Sequence, residues 1–382
     1  MRPVAIAAAA TLAALACSRP PEVPAGDAGG ALAVPVGRRP FDVAVGDLDR
    51  DGKPDLVTAN GDKTLSIRLQ RDGGWAPAPG DPLPAADSTH MVALADVDGD
   101  GDLDAVATSH DAGGVWLWLG DGTGRLAPAA GSPFAAVEAE RPHNHGLVVG
   151  DLDGDGDADV VVGDQTAQQT VVLLGDGRGA LTRPGGGAID LGAQTYPPSL
   201  GDVDGDGHLD LVAPLISGPA IGVLLGDGRG GFHPAPGSPT PSPLPRPYAI
   251  ALTDLDGDGA LDAIAAHDDT DRISVWLGDG HGRLRAAPGS PLALGRRIWR
   301  MATVDVDGDG AVDVIGAGSG SLFVIPGDGH GGLGRPRVEP LGEGWMVVSA
   351  DFDGDGRPDL AAPDGDAGVV RIWLGRGPAR QR

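Results

Sequence analysis

The stretch DVDGDGDLD, Asp96 to Asp104, places five carboxylates in nine positions, and its frame, D-x-D-x-D-G-x-x-D, occurs seven times in the chain. The frame aspartates are Asp47, Asp49, Asp51 and Asp55; Asp96, Asp98, Asp100 and Asp104; Asp151, Asp153, Asp155 and Asp159; Asp202, Asp204, Asp206 and Asp210; Asp254, Asp256, Asp258 and Asp262; Asp305, Asp307, Asp309 and Asp313; and Asp351, Asp353, Asp355 and Asp359. Carboxylates at loop positions 1, 3, 5 and 9 can converge on one hard cation, and the glycine at position 6 permits the bend that wraps the chain around it. Solvated Asp/Gly turns would need no such fixed spacing. Flexible, oxygen-rich loops suit Ca²⁺ better than the small octahedral shell of Mg²⁺.

An EF-hand loop requires a Glu at position 12 and flanking helices. The twelfth positions here are Thr58, Ala107, Val162, Ala213, Ala265, Gly316 and Ala362. Each loop is instead flanked by short apolar runs, such as MVALAD (91–96) and DAVAT (104–108), with no 3.6-residue stripe. The loops are therefore expected to join strands. Their formal charge also needs a partner: the chain carries −26, which argues against nucleic acid, whose phosphates it would repel. About seven Ca²⁺ would bring that −26 to −12.

The loops start 46 to 55 residues apart, a period suited to one propeller blade. That period also gives meaning to 65 Gly and 34 Pro in 382 residues, a share that would otherwise suggest low complexity. Each unit reads as four strands: A into the loop (FDVAVGD, 41–47), B out of it (DLVTA, 55–59), C after a polar turn (VWLWLG, 115–120), and D after a second signature. That signature is Leu-Gly-Asp-Gly-x-Gly, whose Asp (Asp72, Asp121, Asp176, Asp227, Asp279) lies 25 residues after the first loop Asp, or 23 for Asp328. Its glycines suit a tight turn at positive φ, and no helix follows that could receive a phosphate.

Together the two signatures resemble the FG-GAP/VCBS repeats, in the bacterial VCBS style more than in the integrin α style. The resemblance covers residues 31 to about 377. It implies an all-β, seven-bladed β-propeller of four-stranded antiparallel blades with Ca²⁺ in each A-to-B hairpin. The last unit stops at LGRGPARQR without a strand D, so Ala31 to Val36 is expected to complete blade seven and close the ring.

The N-terminus, MRPVAIAAAATLAALAC, has a basic residue, an apolar run and a small-residue approach to Cys17. It reads as a signal peptide over 1–16, too short to span a membrane. Ala14-Leu15-Ala16-Cys17 resembles a bacterial lipobox, which implies lipidation of Cys17, the only cysteine; ordinary cleavage after Ala16 would also leave Cys17 first. Residues 17–30 then form a flexible tether, 31–377 the propeller and 378–382 a tail. The expected place is the cell envelope, outside the cytoplasm.

Six residues before each first loop Asp stand Phe41, His90, His145, Tyr196, Tyr248, Trp299 and Trp345. Strands A line a propeller's channel, so these side chains should ring its mouth on the face opposite the Asp loops. They could be a stacking platform for a planar ligand or a plug of the channel neck. Arg38, Arg39, Arg141, Arg246, Arg296 and Arg297 stand just upstream and could draw an anionic ligand. The B-to-C turns add His110, Asp111, Asp164, Gln165, His267, Asp268 and Asp269 to that face, beside His143.

The function these features suggest is a monomeric calcium-binding recognition, adhesion or scaffold module with an extracellular protein or glycan as partner. A lyase or hydrolase at the His-ringed mouth is the alternative. No Gly-x-Ser-x-Gly elbow is present, and His143-Asn144-His145 alone is no metal site.

Overall fold

The computed structural model describes residues 30–375, apart from 138–141, 145, 166–167, 186–187 and 192. The signal peptide, Cys17, most of the tether and the tail lie outside the described residues, as do His145 and Arg141. No helix occurs among those described.

Short β-branched runs bounded by Asp and Gly can only make short strands, and each blade is a meander of them. In blade 2, strand A (Thr89–Ala95) pairs B (Asp104–Ser109), B pairs C (Gly114–Gly120) and C pairs D (Leu126–Pro128). Ala95 faces Asp104 in the ladder, so the Asp loop closes the A-to-B hairpin. The fold is a seven-bladed propeller of such antiparallel sheets. Ring closure follows the expectation: Leu32–Pro35 pairs antiparallel with Val369–Trp373, Leu32 opposite Ile372 and Pro35 opposite Val369. The outer strand of blade 7 thus comes from the start of the described chain and leaves no open radial edge.

Strand B is buried along its whole length in every blade. It lies between two neighbouring blades, so its alternate side chains serve opposite interfaces. Val57 and Ala59 pack toward blade 2, with Val92 and Ala105, whereas Leu56 packs toward blade 7, with Phe352 and Ile372. Each blade interface has its own hydrophobic cluster, built mostly of Val, Leu, Ile and Ala. A fully buried Val or Leu contributes roughly 1.5–3 kcal/mol, so seven modest clusters in series can hold the ring without many aromatics.

Strand D is not the single run expected. In blades 1 to 5 it is broken into two short pieces that both pair with C, as Leu126–Pro128 and Phe134–Ala135 do in blade 2. At the break the chain bulges and a strand C N–H needs another acceptor. Ser132 Oγ accepts from Leu117 N at 2.9 Å, Ser238 Oγ from Val223 N at 2.8 Å and Ser290 Oγ from Val275 N at 2.9 Å, while in blade 1 Asp81 Oδ1 accepts from Ile67 N at 2.7 Å.

Candidate metal loops and the channel mouth

The Asp loops share one hydrogen-bond scheme. Position 1 accepts twice: Asp96 Oδ1 takes Gly99 N at 2.8 Å and Oδ2 takes Gly101 N at 3.0 Å, and blades 3 to 7 repeat this with their own glycines. Gly99 and Gly101 sit at φ 74° and 87°, where a Cβ is strained. Position 5 accepts from position 7, as Asp100 Oδ1 does from Asp102 N at 2.8 Å.

Position 9 does the most. Asp104 is fully buried; its Oδ2 accepts from Val97 N and its Oδ1 from Gly120 N, both at 2.7 Å. One carboxylate thus ties the loop's second residue to the end of strand C. Burial pushes the position-9 carboxyls up, to about 6 for Asp55, Asp104 and Asp313 and about 7 for Asp159. Asp210, Asp262 and Asp359 shift the same way, also through burial.

Oxygens of positions 1, 3 and 9 lie within 4.8 Å of one another in blades 1, 2, 3 and 5, and those of Asp202, Asp204 and Asp206 do so in blade 4. The all-oxygen donor set and the buried carboxyl, which a divalent charge would hold ionised, both fit a hard cation such as Ca²⁺. Several of these Asp clusters could hold metal.

The Leu-Gly-Asp-Gly-x-Gly turn binds the Asp loop of the preceding blade. Its third glycine donates to the position-2 carbonyl of the preceding blade: Gly124 N to Leu48 O at 2.9 Å, Gly230 N to Leu152 O at 3.1 Å, Gly282 N to Val203 O at 3.1 Å and Gly331 N to Leu255 O at 3.2 Å. The first glycine is needed for a close approach; a Cβ on Gly175 would lie 2.5 Å from Ala158 O. Blade 1 departs from the sequence alignment. Leu56 and Ala105 both stand nine residues after their first loop Asp, yet Leu56 faces Arg68 whereas Ala105 faces Trp118. The blade 1 hairpin is one residue shorter, so Arg71, not Asp72, occupies the place of Asp121.

At the opposite end of strands A, six of the seven ring residues are described, and they contact one another. Ring centroids lie 5.5 Å apart for Phe41–His90, 5.8 Å for His90–Trp345, 5.6 Å for Trp345–Trp299, 5.8 Å for Trp299–Tyr248 and 4.1 Å for Tyr248–Tyr196. His90 reaches Trp345 past the intervening Phe41, so across blades 7, 1 and 2 the rings draw inward. The strand A register shifts at Phe41, His90 and Tyr248, each of which is the extra residue of a bulge. The cavity here, lined by Phe41, Asp42, His90, Met91, Arg300, Trp345 and Met346, measures about 10 Å³, room for roughly one water.

Two neck residues escaped sequence reading because each follows a ring position in one blade only. Asp42 is buried; its Oδ1 accepts from Val43 N at 2.8 Å and its Oδ2 from Val92 N of blade 2 at 3.0 Å. Burial pushes its carboxyl up to about 6, against a counter-pull from Arg300. Arg300 Nη2 lies 3.2 Å from Met91 Sδ.

His267, expected at the mouth, is instead buried in strand B, with Nδ1 2.9 Å from Pro245 O and Nε2 2.9 Å from Ser274 Oγ. His110 and His143 do meet, at 3.9 Å between centroids, and His90 lies 5.9 Å from His110. Asp111 Oδ1 is 2.7 Å from His110 Nδ1, while Asp164 Oδ2 accepts from His143 N at 2.7 Å. Burial depresses His90 to about 3 and also lowers His143. Of the arginines, Arg246 pairs with Asp268 at 2.5 Å and Arg39 with Glu343 at 3.4 Å, which reduces the net attraction for an anion; Arg296 and Arg297 are exposed.

No curated protein matches the chain. Among solved structures the fold is similar to BBS1N, solved in complex with ARL6DN, at TM-score 0.62 and 14% identity over 91% of this chain and 98% of that one. It is similar also to a lectin of Agrocybe aegerita that recognises non-reducing terminal N-acetylglucosamine (TM-score 0.56, 20% identity, 91% and 85% covered). Sqt1 of Saccharomyces cerevisiae gives 0.55 and 11%, with 91% and 98% covered. At these identities the likeness is one of fold. The FG-GAP-like repeat model matches residues 47–107, 96–162, 151–213, 254–316 and 305–362, each match running from the first Asp of one loop into strand B of the next blade. These segments take in all seven Asp loops and more than half of the sequence, and the chain belongs to the FG-GAP-like repeat family.

Proposed function

We propose that this protein is a calcium-stabilised propeller of the bacterial cell envelope, secreted and tethered through a lipid on Cys17, which acts as a recognition, adhesion or scaffold module. The observation that carries the reading is the packing at the channel mouth: the six described ring residues contact one another, and the cavity between Phe41, His90, Arg300 and Trp345 measures about 10 Å³. A space with room for roughly one water does not admit a sugar ring or a peptide side chain, which supports a packing role for these aromatic groups. The ring therefore acts as a plug, and a partner would bind the outer surfaces of the blades. Propellers of similar fold support both partner classes, since one neighbour is a glycan-recognising lectin and another was solved in complex with a second protein.

The residues that would hold Ca²⁺ are the aspartates of positions 1, 3, 5 and 9. The ion would supply the positive charge that lets a buried position-9 carboxyl stay ionised. The hydrogen bonds of the loop orient the oxygens beforehand, and the position-9 bonds carry that order into strand C. Calcium then stabilises the folded state by mass action.

The test is a screen against glycans and surface proteins, with and without calcium, alongside melting with EDTA. Saturable binding without turnover, and a melting temperature that falls with EDTA, are the expected results. An unmoved melting temperature would remove the structural role of calcium. The His90, His110 and His143 contacts favour the enzymatic alternative; turnover that disappears in His90→Ala at unchanged calcium content would replace the binding reading with it.

A further inference from the structure

The first Asp loop differs from the others in what surrounds it. Because Arg71 occupies the place that Asp121, Asp176, Asp227, Asp279 and Asp328 occupy in blades 2 to 6, the C-to-D turn of blade 1 turns a cation toward the loop. The Arg71 guanidinium contacts Asp49 Oδ2 and reaches Asp51 Oδ2 at 3.4 Å. Lys53, at position 7, lies 4.0 Å from Asp51 Oδ2 and 2.7 Å from Asp72 Oδ1. Arg50 stands at position 4, where the other loops have glycine; at φ 60° its Nε contacts Asp102 of the blade 2 loop. Thus three basic residues gather at one loop of a strongly acidic chain.

We propose that blade 1 carries its own counter-charge: Arg71 and Lys53 supply the two unit charges that a divalent ion supplies elsewhere, so its loop folds without calcium. This rests on calcium binding at the remaining loops. A guanidinium on Asp49 repels an incoming divalent ion and occupies the carboxylate oxygen that the ion would need. Arg50 extends the same neutralisation across the interface to blade 2. The feature that favours an ion in this loop is Asp49 Oδ1, buried with no hydrogen-bond partner, beside the close approach of Asp47, Asp49 and Asp55. By sequence position the residue corresponding to Arg71 in blade 7 is Arg376, which lies outside the described residues.

The measurement is bound calcium per chain, by equilibrium dialysis and elemental analysis, on the full-length folded protein. Asp51→Ala should leave the number unchanged, whereas Asp100→Ala, its counterpart in blade 2, should lower it by one. Arg50→Gly, Lys53→Asp and Arg71→Asp combined, which install the blade 2 residues, should raise it by one. Loss of an ion in Asp51→Ala as in Asp100→Ala would overturn this proposal and leave the calcium reading standing. A wild-type chain without bound calcium would instead sink the calcium reading itself. Circular dichroism of each variant separates loss of an ion from loss of the fold.

Discussion

Replacing Asp104 by Ala should cost the protein more than a metal ligand. The side chain is fully buried and its two oxygens accept from Val97 N and Gly120 N, both at 2.7 Å. Truncation strands the buried Val97 N at about 1–3 kcal/mol and also frees the half-buried Gly120 N, which water can partly satisfy, so the loss should be at least of that order. Asp100 of the same loop is exposed and accepts from Asp102 N; its removal should weaken little besides the bound ion. Urea unfolding of wild type, Asp104→Ala and Asp100→Ala, run from chelated to millimolar calcium, separates the two roles. Asp100→Ala should track wild type at low calcium and fall behind as calcium rises. Asp104→Ala should lie below wild type throughout. If the two variants coincide at every calcium concentration, the N–H bonds contribute nothing beyond the ion and the reasoning is wrong.

The pH dependence should invert with calcium. Burial raises the position-9 carboxyls from 3.8 to about 6 or 7, so in the stripped protein the folded state holds more protons than the unfolded chain. Its stability is then present below pH 4 and lost as pH rises through 6 to 7. Calcium must displace those protons, so the loaded protein should gain stability over the same range; a stripped protein whose melting temperature rises from pH 5 to 7 would contradict the assignment. Ser132→Ala should cost about 1–3 kcal/mol by stranding Leu117 N, whereas Ser132→Asp, the residue type blade 1 uses at Asp81, should retain more of the melting temperature.

Much of this molecule was legible because it repeats. The Asp frames, their spacing and the missing last strand D led to the blades and to closure by Leu32–Pro35. Where one blade breaks the pattern, reading failed. Aligning Asp72 with Asp121 hid a hairpin one residue short, and with it the role of Arg71. His267 read as a mouth residue because it ends strand B, but Pro245 and Ser274 hold it in the core. The Ser and Asp acceptors in broken strand D stand in plain repeats such as APGSP, yet their purpose appears only where strand C lacks a ladder partner.

Local chemistry written at fixed intervals was enough to establish blade number and loop type, since each depends on residues near one another in the chain, and the incomplete last repeat pointed to the one distant pairing that closes the ring. The channel neck depends on residues from different blades. Phe41, His90 and Tyr248 turn inward because bulges re-aim them, and Asp42, Met91 and Arg300 converge only once the ring has closed. Such contacts are set by the tilt and spacing of the assembled blades, which no single repeat encodes.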